Sequence, residues 1–256
     1  MSLLKYEVHD RAPGERKRFI RDLFDAIVPT YDRLNRILSL GIDTHWRKKA
    51  VRLLGDMRGK RALDLCCGTG DVSRLLARAG ASAVSLDFSL PMVLRGIAKG
   101  NITGSAVIAD ASVLPFADAR FSALTVAFGI RNIPDLDAFM DETLRVLEPG
   151  GVFVILELTR PRARLAGGLY SVYLTRVLPF IGGIVSGKRL AYRYLAGTIG
   201  TFFDPVDLAA RLRAHGYGQV DILPLTLGIA TIMVCGKSGQ GSEELLSAVV
   251  NGKKVP

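Results

Sequence analysis

From residue 61 to residue 161, short apolar runs alternate with stretches of helical spacing. The runs at 62–66, 83–87, 106–109, 124–128 and 152–158 are almost unbroken, as expected of parallel strands covered on both faces. Between them, 72–79, 91–99 and 136–147 carry apolar residues at helical intervals. Repeated strand–helix alternation predicts a doubly wound α/β sheet. Pro149-Gly150-Gly151 predicts a turn that stops the last of these helices and feeds the next strand. Ahead of this core, 16–54 reads as helical with breaks at Pro29 and Gly41. Behind it, 204–215 has helix punctuation: Asp204 as N-cap, Pro205 in first position and Gly216 just past the end. Runs at 219–224 and 229–235 supply the last two strands, and no internal repeat is visible. The expected organisation is a helical cap over 1–55, an α/β domain over 56–237 with an apolar insertion near 165–200, and a flexible Gly/Ser/Lys-rich tail over 238–256.

Composition narrows the class. Hydrophobic residues make up 49% of the 256, which is ample for a core and excludes a disordered chain. Of three cysteines, Cys66 and Cys67 are neighbours on one strand and Cys235 is remote. No disulfide framework or metal-ligand spacing emerges, so no metal is expected and a reducing cytoplasmic compartment is the simple reading. The N-terminus has no apolar signal core, and its early acids Glu7, Asp10 and Glu15 argue against a transit peptide. The net charge of +10 suits nucleic acid, anionic lipid or an acidic substrate, or simple solubility.

The candidate chemistry lies at successive strand ends. The strand at 62–66 opens into Cys67-Gly68-Thr69-Gly70-Asp71 and then a helix. Glycines there let a ligand approach the backbone, and the helix start offers free N–H donors. Asp87 ends the second strand, where a carboxylate can accept both hydroxyls of a ribose. Phe88 follows it. Asp110 ends the third strand, with Ala111 next, and could accept the exocyclic amine of adenine. Asp64, a carboxylate inside the first strand, could order the loop, face a cofactor ammonium group, or cap backbone. A dinucleotide fingerprint starting at Gly68 would require glycine at Ser73. S-adenosylmethionine carries no pyrophosphate and tolerates the tighter spacing, so it is the expected cofactor.

Further segments extend the picture: FDAIVPTYDRLNRILSLGIDTHWRKKAV at 24–51, FGIRNIPD at 128–135, LEPGGVFVILELTRP at 147–161 and YRYLAGTI at 192–199. With LDLCCGTGD at 63–71 these resemble the ubiquinone/menaquinone biosynthesis C-methyltransferase family, over nearly the whole chain. Ala127 stands before FG where many relatives have serine, and the 236–256 extension is unlike theirs. The resemblance implies a Rossmann-like class I methyltransferase fold with a seven-stranded, mostly parallel sheet. It implies cofactor contacts from Gly68, Thr69, Gly70, Asp87, Asp110 and Ala111, and a prenylated benzoquinol or naphthoquinol methylated on ring carbon.

A ring carbon is a poor nucleophile until the neighbouring hydroxyl loses its proton, so a base or water relay and groups that favour phenolate are needed. Arg131 and Asn132, directly after the fourth strand, are candidates to hold the phenolate and hydrogen-bond the ring oxygen. Arg131 could alternatively pair with Asp135. Tyr31 and Asn35 could close over the ring, Tyr31 being otherwise a core residue, and His45 is a further candidate base.

The apolar stretch at 165–187 is broken by Arg176, Pro179 and two glycine pairs, so it is not read as a membrane span. Arg160, Arg162 and Arg164 flank it on one side, and Lys188, Arg189 and Arg193 on the other. It reads as a peripheral element at an anionic membrane, on the inner face, or else as a helix buried on the sheet. An RNA methyltransferase, a methyltransferase for another lipophilic molecule, a nicotinamide oxidoreductase and a non-enzymatic binding protein are the rivals. Stacking aromatics on a basic face are lacking, so no nucleic-acid partner is expected. A homo-oligomer stays open.

Overall fold

The computed structural model describes residues 13–161 and 164–239. Arg162 and all of the expected tail beyond Gly239 lie outside the described residues. Seven strands form one sheet in the order β3-β2-β1-β4-β5-β7-β6. They are β1 (Arg61–Leu65), β2 (Ser82–Asp87), β3 (Ser105–Ile108), β4 (Phe121–Ala127), β5 (Leu147–Leu158), β6 (Tyr217–Leu225) and β7 (Ala230–Lys237). β1 to β5 pair in parallel, and β7 runs antiparallel between β5 and β6. The seven-stranded, mostly parallel sheet is as expected.

The unbroken apolar runs have a simple cause. Alternate residues of each central strand enter two different cores. Leu63, Leu65, Leu124, Val126, Phe153 and Ile155 pack on one face. Ala62, Ala123, Val152, Val154 and Leu156 pack on the other. Helices α4 (Asp71–Arg78), α5 (Leu90–Ala98), α6 (Leu136–Val146) and α10 (Pro205–Ala214) cover the sheet. Asp204 caps α10 by accepting the Val206 N–H at 2.9 Å, as its position before Pro205 predicts. Pro149-Gly150-Gly151 is not a turn ahead of β5. It is a bulge within it, the register with β4 slipping between the Phe121–Leu147 and Ala123–Val152 pairs.

The N-terminal region breaks where Pro29 and Gly41 predict, into α1 (Pro13–Asp25), α2 (Tyr31–Leu38) and α3 (Asp43–Arg52). Trp46, Ala50 and Val51 of α3 belong to the second sheet core, so α3 flanks the sheet. α1 and α2 lie over the carboxyl ends of the strands. There they meet the insertion: α7 (Arg164–Val172), a π-helical turn (Tyr173–Val177), α8 (Leu178–Ser186) and α9 (Arg189–Thr201). Ile27, Leu34, Met92, Leu174, Leu178 and Ile199 form the core between them.

Neighbouring strands lead their connections to opposite faces at β1 and β4, and this reversal opens a crevice at their carboxyl ends. Cys66 and Phe128, the residues at this lip, both take left-handed backbone (φ 52° and 62°). The two strand ends approach so closely that a Cβ on Gly129 would lie 2.5 Å from Cys66 Cβ. Only glycine fits there.

Candidate active site

The glycine loop is held from both sides. Below it, the buried Asp64 accepts hydrogen bonds from Ser73 Oγ of α4 (2.6 Å) and Thr125 Oγ1 of β4 (2.9 Å). Burial pushes the Asp64 carboxyl up to about 6, against those hydroxyls. These two bonds tie the start of α4 to β4 beneath the loop. Above the loop, Thr69 Oγ1 donates to Asp32 of α2, and Lys99 Nζ bridges to Asp32 at 2.6 Å. Gly70 has φ +78°, and a Cβ there would sit 2.5 Å from Ile102 Cγ1.

Two cavities open from this crevice. The first, about 470 Å³, is lined by Gly68, Asp87, Phe88, Asp110, Ala111 and residues of α1. Asp87 Oδ2 accepts the Gly68 N–H at 2.8 Å and Oδ1 the Ser89 N–H at 2.9 Å. Burial pushes its carboxyl up to about 6 despite these donors. Burial also raises Asp110, but Lys17 of α1 and the Ser112 N–H (2.8 Å) outweigh it and hold Asp110 below the usual carboxylate range. Asp87, Phe88, Asp110, Ala111 and Gly68 are therefore brought together as expected. Thr69 and Gly70 shape the loop without lining this cavity.

The second cavity, about 600 Å³, is largely apolar and lies between α2, α3 and the insertion. Tyr31, Phe24, Phe128 and Asn132 line both cavities, so the two adjoin at these side chains. Burial raises the Tyr31 hydroxyl against the pull of Arg47 and a hydrogen bond from Asn35, so Tyr31 stays protonated at neutral pH and is not a general base there. Two buried ion pairs line the second cavity. Arg131 pairs with Glu157 at the end of β5, and Arg47 with Asp43. The suggested Arg131–Asp135 pair is not formed, because Asp135 caps α6 by accepting the Ala138 N–H at 3.0 Å. Arg131 Nε and Asn132 Oδ1 are buried with no hydrogen-bond partner among the described residues.

His45 is exposed and lines neither cavity. Its neighbour Trp46 points inward instead, donating from Nε1 to Thr226 Oγ1 at 3.0 Å. Burial drives the Cys66 and Cys67 thiols well up, so neither is a thiolate nucleophile at neutral pH. Sequence reasoning missed Glu157, Asp43 and Arg47. Glu157 carried the same signal as Asp64, a charge inside an apolar strand. Asp43 and Arg47 are spaced four apart on one helix face, with no chemical motif to mark them.

Residues 12–237 match the ubiE/COQ5 methyltransferase family. The chain belongs to it. Among relatives of this family, the demethylmenaquinone methyltransferase of Thermus thermophilus is 44% identical over 217 residues, covering 83% of this chain and 98% of its own. The ubiquinone/menaquinone biosynthesis C-methyltransferase UbiE of Geobacter sulfurreducens is 43% identical over 229 residues, covering 86% and 87%. Among solved structures, a SAM-dependent methyltransferase from Thermotoga maritima superposes with a TM-score of 0.62 at 16% identity, over 86% of this chain and 100% of that one. Haemonchus contortus phosphoethanolamine N-methyltransferase 2, in complex with S-adenosylhomocysteine, gives 0.60 at 14% identity, over 86% and 60%. The fold is that of class I methyltransferases, and family membership decides for methyl transfer over hydride transfer.

Proposed function

We propose that this ubiE/COQ5-family chain transfers a methyl group from S-adenosylmethionine to a ring carbon of a prenylated quinol in respiratory quinone biosynthesis. The observation that carries the reading is the shared boundary: a carboxylate-lined chamber and an apolar chamber that adjoin at Tyr31, Phe24, Phe128 and Asn132, where a methyl donor and its acceptor can meet. The first chamber fits the cofactor. Asp87 offers a buried acceptor for the ribose hydroxyls, Phe88, Met92 and Ile108 offer apolar surface for a base, and Asp110 with Ala111 closes its edge. Gly68, Thr69 and Gly70 present the loop, and Asp64 keeps it in place from below.

When bound, S-adenosylmethionine supplies a methyl group on a sulfonium, and its departure leaves a neutral thioether. The protein's share is to align the acceptor, which can supply about 7–11 kcal/mol of the barrier, and to favour its phenolate. Arg131 and Arg47 place guanidinium groups along the acceptor chamber, each held by a buried carboxylate. Arg131 Nε can donate to the ring oxygen, and Asn132 Oδ1 can accept a hydrogen bond from the same hydroxyl while it is protonated. Tyr31 closes over the ring where the two chambers adjoin.

An isoprenoid-tailed acceptor is held in the bilayer, and the surface supports contact with it. Among the described residues no helix is long and apolar enough to cross a membrane. The insertion instead packs one face inward through Tyr170, Leu174 and Leu178 and leaves Val172, Phe180 (62% exposed) and Ile184 (69%) outward, with Arg176 among them. Leu40 (86%) and Leu227 (81%) line the second cavity and mark its mouth. Both take left-handed backbone, φ 52° and 58°, a cost that exposed leucines do not recover by packing. An apolar, Arg-bearing rim of this kind suits an anionic interface.

The deciding experiment is mass spectrometry of quinones in a strain lacking this protein. Accumulation of a demethylated quinone identifies the acceptor, and an unchanged quinone profile overturns the reading.

A further inference from the structure

The YRYLAGTI motif at 192–199 has no chemical part in the roles above, and three of its residues, Tyr194, Leu195 and Ile199, line the acceptor chamber. Tyr194 of α9 is 6% exposed and lines the second cavity. Its ring is fixed edge-on to Phe19, with centroids 6.0 Å apart, and packs with Ile20 against Phe24 and Phe88. Its hydroxyl has no hydrogen-bond partner among the described residues. Three of the five buried side-chain atoms left in that state belong to residues lining this one chamber: Arg131 Nε, Asn132 Oδ1 and Tyr194 Oη. α9 packs on the Ile130–Asn132 turn, and the Arg131 charge acts on the Tyr194 hydroxyl. Buried polar atoms are costly to leave unpaired. Three together point to a ligand that completes them.

Their chemistries are complementary. Arg131 Nε–H can only donate and Asn132 Oδ1 can only accept, so together they satisfy a single hydroxyl. The Tyr194 hydroxyl can do either and is left for a different polar group. Burial raises it, against the pull of Arg16 and Arg131, so it is a neutral donor at physiological pH.

We propose that Tyr194 is a specificity residue that binds the second ring oxygen of a 1,4-quinol, across the ring from the oxygen met by Arg131 and Asn132. This rests on the prenylated-quinol reading of the chamber and adds that the protein requires two ring oxygens, where an ordinary phenol has one.

The test compares a short-chain prenylated 1,4-naphthoquinol with the matched naphthol that keeps only the hydroxyl beside the methylated carbon. Both are assayed anaerobically for kcat/KM. Both are also titrated into enzyme loaded with S-adenosylhomocysteine, which reads binding without turnover. Relative to the wild type, Tyr194→Phe should lose roughly three- to tenfold of the preference for the quinol, the worth of one neutral hydrogen bond. The same factor should vanish from the binding titration, with cofactor affinity intact. If the variant keeps the wild-type preference, the Tyr194 assignment falls. If the wild type methylates neither compound, the acceptor reading itself falls. Should Tyr194→Phe fail to fold, the wild-type titration decides: equal affinity for the two compounds overturns the proposal, and a roughly three- to tenfold gap sustains it.

Discussion

The Arg131–Glu157 pair allows a sharp prediction, because both side chains are about 5% exposed or less and Glu157 serves more than one partner. Its Oε1 accepts from the Arg131 guanidinium and from the Leu158 N–H at 2.7 Å, and Oε2 accepts the Arg131 N–H at 3.4 Å. Glu157→Ala strands a buried guanidinium and two backbone N–H groups, which should cost about 3–5 kcal/mol. For a chain of this size that lowers Tm by roughly 6–20 °C. Glu157→Gln keeps one acceptor oxygen for the backbone but removes the charge, and should lose about half as much. Combining it with Arg131→Met leaves no charge to bury, so the double variant should regain about 2 kcal/mol over Glu157→Gln alone. Urea unfolding of the four proteins of that cycle measures the coupling. Activity gives the second readout: both Arg131→Met proteins should be inactive, while Glu157→Gln should lose kcat with unchanged cofactor affinity. Stability losses that add within about 0.5 kcal/mol would refute the argument, since the pair would then not act as a unit.

Three further expectations follow from the same geometry. Asp64 is held near 6 in the fold against 3.8 as an unperturbed group. Its raised value contributes stability that is full below about pH 4 and lost as pH rises through about 6. Asp64→Asn should therefore gain about 3 kcal/mol on the wild type between pH 4 and pH 7, and a pH-independent difference would sink the assignment. Gly70→Ala meets both a left-handed φ and Ile102 at 2.5 Å, so it should cost about 2–4 kcal/mol in melting and weaken calorimetric binding of S-adenosylmethionine; a wild-type melt would count against the clash. Phe180→Glu with Ile184→Glu should reduce flotation with anionic vesicles by roughly 100-fold in affinity, and undiminished flotation would remove the insertion from the interface.

What the sequence made legible was whatever a single strand or loop carries in itself. Asp87, Asp110 and the glycine loop each announce a strand end, and a parallel sheet gathers strand ends on one side without further information. Partnerships across the fold were not legible in that way. Asp135 lies four residues from Arg131 and looked a natural partner, but a residue placed to cap α6 is already committed to backbone. Glu157 reaches Arg131 only because β5 lies beside β4. The insertion shows the same limit. Its sequence fitted a buried helix or a membrane-facing one, and the structure buries one face and leaves apolar side chains exposed on the other. Tyr194 is the extreme case: it reads as one more core aromatic until the cavity beside it is seen.

The chambers that adjoin at Tyr31, Phe24, Phe128 and Asn132 differ in more than their linings. The exposed rim of the first chamber includes Arg18 and Arg21, whereas that of the second includes Leu40, Ile42 and Leu227. One doorway is wetted and cationic, the other greasy, and neither ligand has to pass through the other's. On the proposed reading the spent nucleoside leaves by the cationic doorway and the ring compound by the greasy one, so the supply of methyl donor and the supply of acceptor can each limit the rate separately.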